Sequence, residues 1–116
     1  MDCAKKGKFR VERDFLGERE VPEQALYGIQ SLRGSENFHI TGQKMHRGLI
    51  IGLAIMKKAA ALANAELGYL TPEVGSAIAA AADEIIAGKH MDEFIVDAIQ
   101  GGAGTSMNMN ANEVLA

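Results

Sequence analysis

Near its start the chain alternates apolar and polar residues, and further on it shifts to the wider spacing of helices. From Lys8 to Glu12, apolar Phe9 and Val11 stand between charged neighbours, the two-residue period of a strand. Gly17 separates this run from Arg19-Glu20-Val21, so the pattern predicts a short β-hairpin. Two strands are marginal alone, and the hairpin must rest on something larger. Pro22 and Glu23 suit the first positions of a helix, and a short helical turn is expected over Pro22 to Tyr27. Gly28 interrupts it. Another turn is expected over Ile29 to Arg33, after which Gly34 and Ser35 loosen the chain. Asn37 to Gly42 reads as a loop.

From about Met45 to Leu67 the pattern predicts a long helix. Leu49, Leu53, Met56, Ala60, Ala63 and Leu67 recur at spacings of four and three, an apolar stripe that calls for partner helices. Gly68 is a C-terminal stop. Thr71-Pro72-Glu73 opens the next helix, with Thr71 as the cap, Pro72 at the first position and Glu73 on the positive end of the dipole. Val74, Ile78, Ala81 and Ile85 continue the spacing, and Gly88 ends it. A short turn joins the two helices, so they are expected to pack antiparallel. Met91 to Gln100 shows no clear period. Gly101 to Ser106 reads as a flexible loop. Met107 to Ala116 reads as a further helix with no stop signal, as expected of a fragment. The fold class expected is mainly α, with a small β-hairpin near the N-terminus and long antiparallel helices. Residues 1–8 are expected to be loose and residues 9–116 to form one domain.

Composition narrows the class. Hydrophobic residues at 47% and charged residues at 23% fit a globular protein, and 5% aromatics with two prolines favour helices. The net charge is −3 and no long Lys/Arg block occurs, which argues against nucleic acid as a partner. Lys5-Lys6 and Lys57-Lys58 read as solvated surface. The single cysteine, Cys3, can neither pair within the chain nor build a zinc site alone, and a reduced, cytoplasmic setting is the simplest reading; no metal or cofactor is expected. The first residues lack the apolar core of a signal peptide. The longest apolar run, Leu49 to Met56, is far short of the about 20 residues needed to cross a membrane.

The chemistry lies in Gln100-Gly-Gly-Ala-Gly-Thr-Ser-Met-Asn-Met-Asn-Ala-Asn-Glu113. Glycines let backbone approach a ligand, and the helix that Thr105 and Ser106 open offers free N–H groups to an anion. A plainer reading makes Thr105 or Ser106 merely the helix cap. A nucleotide P-loop is not met, because no lysine precedes the Ser/Thr. Asn108 and Asn112 share one helical face and Asn110 lies on the other. Asn110 and Asn112 read as hydrogen-bonded glue between helices, since unpaired inward asparagines are costly.

This segment resembles the aspartase/fumarase superfamily, whose members share a Gly-x-Gly-Thr…Asn-Met-Asn-x-Asn-Glu loop and helix. The Gln-Gly-Gly-Ala-Gly-Thr-Ser form resembles the aspartate ammonia-lyase branch, where the fumarate hydratases usually carry Thr-Gly-Ser-Gly-Thr after the glutamine. A second match runs from Arg10 through Pro22 to Tyr27-Gly28, Arg33 and Glu36-Asn37-Phe38, and the Lys57-Lys58-Ala-Ala-Ala-Leu-Ala-Asn64 helix fits as well. The likeness covers nearly all of the chain from residue 9. It implies the N-terminal domain of that fold and a segment of an enzyme that deaminates L-aspartate reversibly to fumarate and ammonia. The alternatives are fumarate hydratase, or a non-catalytic helical assembly module.

The family's loop threonine, which contacts the substrate carboxylate, maps to Thr105. Gly104 and Ser106 flank it and are expected to offer backbone N–H groups, with Asn108 as a weaker candidate for support. Arg33 matches an arginine implicated in substrate handling, and a structural salt bridge is its equal alternative. The family's general base is a serine in a Gly-Ser-Ser-x-Met-Pro-x-Lys-x-Asn loop. Neither Gly34-Ser35 nor Gly75-Ser76 continues that way. His39, His46 and His90 sit outside family motifs and read as free surface histidines. The family is homotetrameric, with active sites drawn from three subunits, so this segment alone is expected to be inactive.

Overall fold

The computed structural model describes residues 7–116, so the expectations for Cys3 and Lys5-Lys6 lie outside the described residues. The hairpin forms as read. Strand β1 (Phe9–Asp14) pairs antiparallel with β2 (Gly17–Pro22), with Phe9 opposite Pro22 and Asp14 opposite Gly17. Pro22 therefore ends a strand and starts no helix. The expected helical turn over Pro22 to Tyr27 reduces to one hydrogen-bonded turn, Ala25 N–H to Pro22 O (3.0 Å), followed by irregular chain. Its carbonyls point at one guanidinium: Arg10 donates to the oxygens of Pro22 (3.1 Å), Ala25 (2.7 Å) and Tyr27 (2.8 Å).

Helix α1 (Ile29–Asn37) runs straight through Gly34-Ser35, where a break was expected. Its start has no local side-chain cap. Two distant carboxylates take that role. Glu12 accepts from the N–H of Ile29 (2.8 Å), and Glu113 accepts from the N–H groups of Gly28, Gln30 and Ser31 and from the Ser31 hydroxyl. This satisfies the orphan donors of the first turn from outside the helix. Gly34 is kept small by contact: a Cβ there would stand 3.3 Å from Ser106 Oγ.

Helices α2 (Arg47–Glu66) and α3 (Pro72–Ile86) form the antiparallel pair. Thr71 caps α3 through the N–H of Val74, with Pro72 and Glu73 in the first turn as expected. Gly68 and Gly88 adopt left-handed φ of 81° and 89°. At each, the following residue reaches back to close the helix, Tyr69 N–H to Asn64 O (2.8 Å) and Lys89 N–H to Glu84 O (3.0 Å).

The expected stripe on α2 is not the buried one. Ile50, Ala54 and Ala61 are buried, while Leu49, Met56, Ala60, Ala63 and Leu67 are exposed and Leu53 is half-buried. The helix is apolar nearly all round, so the same spacing exists on two faces, and packing against α3 and α4 selects one. On α3, Gly75, Ala79, Ala82 and Ile85 are buried; Ile78 and Ala81 are half-buried and Val74 is exposed. Small residues set the spacing, for a Cβ on Gly75 would stand 2.7 Å from that of Ala65.

By length and composition alone, α2 is apolar enough to cross a membrane, although the unbroken run Leu49 to Met56 is short. Its mid-length lysines are bonded within the protein, Lys57 to Asn108 and Lys58 to Asp83 of α3. That is the pattern of a helix packed by protein.

A short 3-10 turn (Met91–Glu93) leads into extended chain that sends Phe94 and Val96 into the core. Helix α4 (Thr105–Leu115) closes the core with Ala111, Val114 and Leu115 against Ile50, Ala54, Ala82 and Ile85. Asn110, fully buried on α4, holds the extended segment. It accepts from the N–H of Ile95 (2.9 Å) and donates to the carbonyl of Glu93 (2.9 Å). Its glue joins a helix to a strand-like segment, not to another helix. For Asn112 the side-chain contact is within α4, to Met109 Sδ.

Candidate functional site

Thr105 is the first residue of α4 and Gly104 is its N-cap, at φ 79°, with no side chain capping the helix. Thr105 and Ser106 are therefore not caps. Gly102 also takes a positive φ (67°), and Gly101 lies under the Phe38 ring, which would stand 2.5 Å from an added Cβ. The loop needs its glycines for both torsion and approach.

The donors at the helix start divide into two groups. Met107 N–H is taken by the Gln100 side-chain oxygen (2.8 Å) and Asn108 N–H by Gly104 O (3.3 Å). Among the described residues, the N–H groups of Thr105 and Ser106 make no hydrogen bond. They lie at the positive end of the helix dipole, an arrangement suited to an anion.

Thr105 and Ser106 share a cleft of about 300 Å³ with Arg33, Gly34 and Asn37 of α1 and with Asp14 and Leu16 of the hairpin. Arg33 thus lines the same cleft as the loop. The salt-bridge reading is met, because Arg33 Nε and Nη2 bind the two Asp14 oxygens at 2.8 and 2.9 Å, and Nη2 donates to Gly17 O (3.1 Å). The Arg33 hydrogen bond, working against burial, keeps the Asp14 carboxyl below its ordinary pKa. Among the described residues Arg33 Nη1 has no partner, so one edge of the guanidinium remains for a ligand.

Asn108 does not join this cleft. Its side-chain oxygen accepts from Lys57 Nζ (2.8 Å) on the α2 side, where desolvation lowers the ammonium pKa. Lys57 and Asn112 line a separate hollow of about 280 Å³. Lys57 is therefore half-buried and bonded, not a solvated charge. Two of the histidines also have structural partners. His46 caps α2 through Gly48 N–H, and His90, at φ 61°, pairs with Glu84 at 2.6 Å. His39 is exposed.

Sequence reasoning missed Asp14, Gln100 and Phe38. Asp14 and Phe38 act across long gaps in sequence, on Arg33 and Gly101, while Gln100 reaches over the glycine loop to Met107, seven residues on. The cleft gathers anion donors but no base, for Asp14 is engaged by Arg33 and no histidine lines it. Among the described residues, no cluster of three His, Cys, Asp or Glu side chains could hold a metal ion.

A protein-family model described as "Lyase" matches residues 17–116. An aspartate ammonia-lyase from Bacillus sp is 63% identical over 107 residues, covering 92% of this chain and 23% of that relative. A class II fumarate hydratase from Halobacterium salinarum is 53% identical over 108 residues, covering 93% and 23%. Among solved structures, a fumarate lyase:delta crystallin from Brucella melitensis bound to cobalt superposes with a TM-score of 0.92 at 50% identity, over 94% of this chain and 24% of that one. The chain spans about a quarter of the length of these relatives. With the loop at Thr105 and the hairpin-to-Arg33 segment both inside the matched region, the chain belongs to the lyase family that includes the aspartate ammonia-lyases and class II fumarate hydratases.

Proposed function

We propose that this chain supplies the carboxylate-binding loop of an aspartate ammonia-lyase, which converts L-aspartate reversibly to fumarate and ammonia. The observation that carries the reading is the pair of unpartnered N–H groups at Thr105 and Ser106, facing a cleft that also holds Arg33. Removing a proton from the carbon beside the β-carboxylate adds negative charge to that carboxylate, giving an aci-carboxylate dianion. Donors fixed by a glycine loop and a helix end stabilise the added charge more than the ground state, which is what lowers a barrier. The Thr105 hydroxyl adds a third donor at the same place. The base that takes the proton comes from elsewhere in the assembled enzyme, so the segment alone releases no ammonia.

The assembly proposed is a cytoplasmic homotetramer acting on a small dicarboxylate, with neither nucleic acid nor membrane as partner. Exposed Leu49, Ile55, Met56 and Leu62 along α2 support burial by further protein.

The full-length parent, assayed with L-aspartate and with L-malate, tests the reading. Fumarate and ammonia from aspartate are expected. Fumarate from malate alone would establish the second reading, fumarate hydratase, which the 53%-identical relative favours. Turnover of neither would overturn both.

A further inference from the structure

We propose that Gln100 is a positioning residue that pins the glycine loop and so fixes the direction of the backbone donors at Thr105 and Ser106. The inference rests on the loop's role in carboxylate binding. The Gln100 side chain bridges two parts of the molecule. Its oxygen accepts from Met107 N–H in the first turn of α4 (2.8 Å), and its nitrogen donates to the carbonyl of Asp97 (3.2 Å). Asp97 is itself anchored. Its carboxylate accepts from the N–H groups of Ile40, Thr41, Gly42 and Ile99 and from the Thr41 hydroxyl. One end of the bridge is thus the main-chain carbonyl of a residue whose own carboxylate is anchored, and the other end is the helix that presents Thr105.

Between these ends lie Gly101, Gly102, Ala103 and Gly104, a stretch with high conformational entropy when free. Closing it through one side chain fixes the direction of the Thr105 and Ser106 N–H groups before a ligand arrives. Such pre-organisation raises affinity by removing an ordering cost from binding. Gln100 also occupies the next N–H in line, at Met107.

The test uses the full-length enzyme with two variants. Gln100→Leu keeps the size and removes both hydrogen bonds. Its KM for the dicarboxylate is expected to rise about tenfold or more while kcat falls less, with faster hydrogen exchange in the 101–107 peptide. Gln100→Glu keeps the acceptor for Met107 N–H and places a negative charge beside the anion site. Slow exchange at Met107 should persist while KM rises. That split separates positioning from general destabilisation and holds if Gln100→Leu fails to fold. An active parent whose variants keep KM within about twofold overturns the inference alone, as does an equal fall in kcat with KM unchanged in both. A parent that turns over no dicarboxylate overturns the reading of the loop, and the inference with it.

Discussion

The Asp14 carboxylate at the hairpin turn holds one edge of the Arg33 guanidinium of α1 through both of its oxygens, at 2.8 and 2.9 Å. Both side chains are mostly buried, at 10% and 17% exposure. A fork held by two parallel hydrogen bonds has one orientation, which leaves Nη1 aimed away from Asp14. Asp14→Asn leaves one acceptor for two donors and frees the arginine to turn. In the full-length enzyme, KM for the dicarboxylate is expected to rise roughly tenfold, by the scale of a lost charge-assisted contact, with kcat less affected. Steady-state kinetics at neutral pH check this, and an unchanged KM would leave the pair a brace for the hairpin only.

Thr105 caps nothing in its own helix. Replacing it with the near-isosteric valine should leave α4 intact. If its hydroxyl serves the developing dianion, Thr105→Val in the full-length enzyme lowers kcat by about a hundredfold, the usual effect of losing one such donor. Turnover near that of the parent would remove Thr105 from the machinery.

The acid limb of stability is expected to carry the signature of Asp97. The Ile99 N–H, and then the Thr41 hydroxyl and the Thr41 and Gly42 N–H groups, hold its carboxyl well below the ordinary 3.8, against the effect of burial. A carboxyl with a depressed folded pKa contributes fully above its unfolded value and loses that contribution as pH falls through the folded one. Its contribution is therefore complete above about pH 3.8 and declines only in stronger acid. Asp97→Asn should flatten that acid limb and lower the denaturation midpoint at neutral pH. Urea midpoints measured from pH 7 down to strong acid would show both effects.

At Gly75 two effects oppose. Alanine would favour helix by about 1 kcal/mol. Its Cβ would also stand 2.7 Å from that of Ala65 and 3.3 Å from the Ala61 carbonyl, and neither neighbour can swing away. Overpacking of that kind costs about 1–3 kcal/mol, so Gly75→Ala is expected to destabilise by about 1 kcal/mol net. Equilibrium denaturation decides the sign.

What the sequence made legible follows the range of the interactions involved. The ends of α2 and α3 could be read because Thr71, Gly68 and Gly88 act on neighbours in the chain. The hairpin could be read for the same reason. The start and full length of α1 could not, since Glu12 and Glu113 reach it from far away. The buried face of α2 was misjudged because an all-round apolar helix leaves the choice to its partners. At the site, the glycine loop announced Thr105 and Ser106. The ligation of Arg33 by Asp14 and of Met107 by Gln100 exists only in the folded chain. Asn108 shows the converse, a polar residue beside the loop in sequence whose side chain turns to Lys57.

Glu113 near the end of α4 starts α1 by binding the N–H groups of Gly28, Gln30 and Ser31. A ribosome releases the arginine-bearing segment long before it adds that glutamate. Until then the first turn of α1 lacks its main acceptor and keeps only the Glu12 contact at Ile29 N–H. Both walls of the cleft are thus completed by the same late event. A nascent chain stalled short of Glu113 would hold its arginine through Asp14 and Gly17, with no opposite wall to the cleft and a helix lacking its main cap.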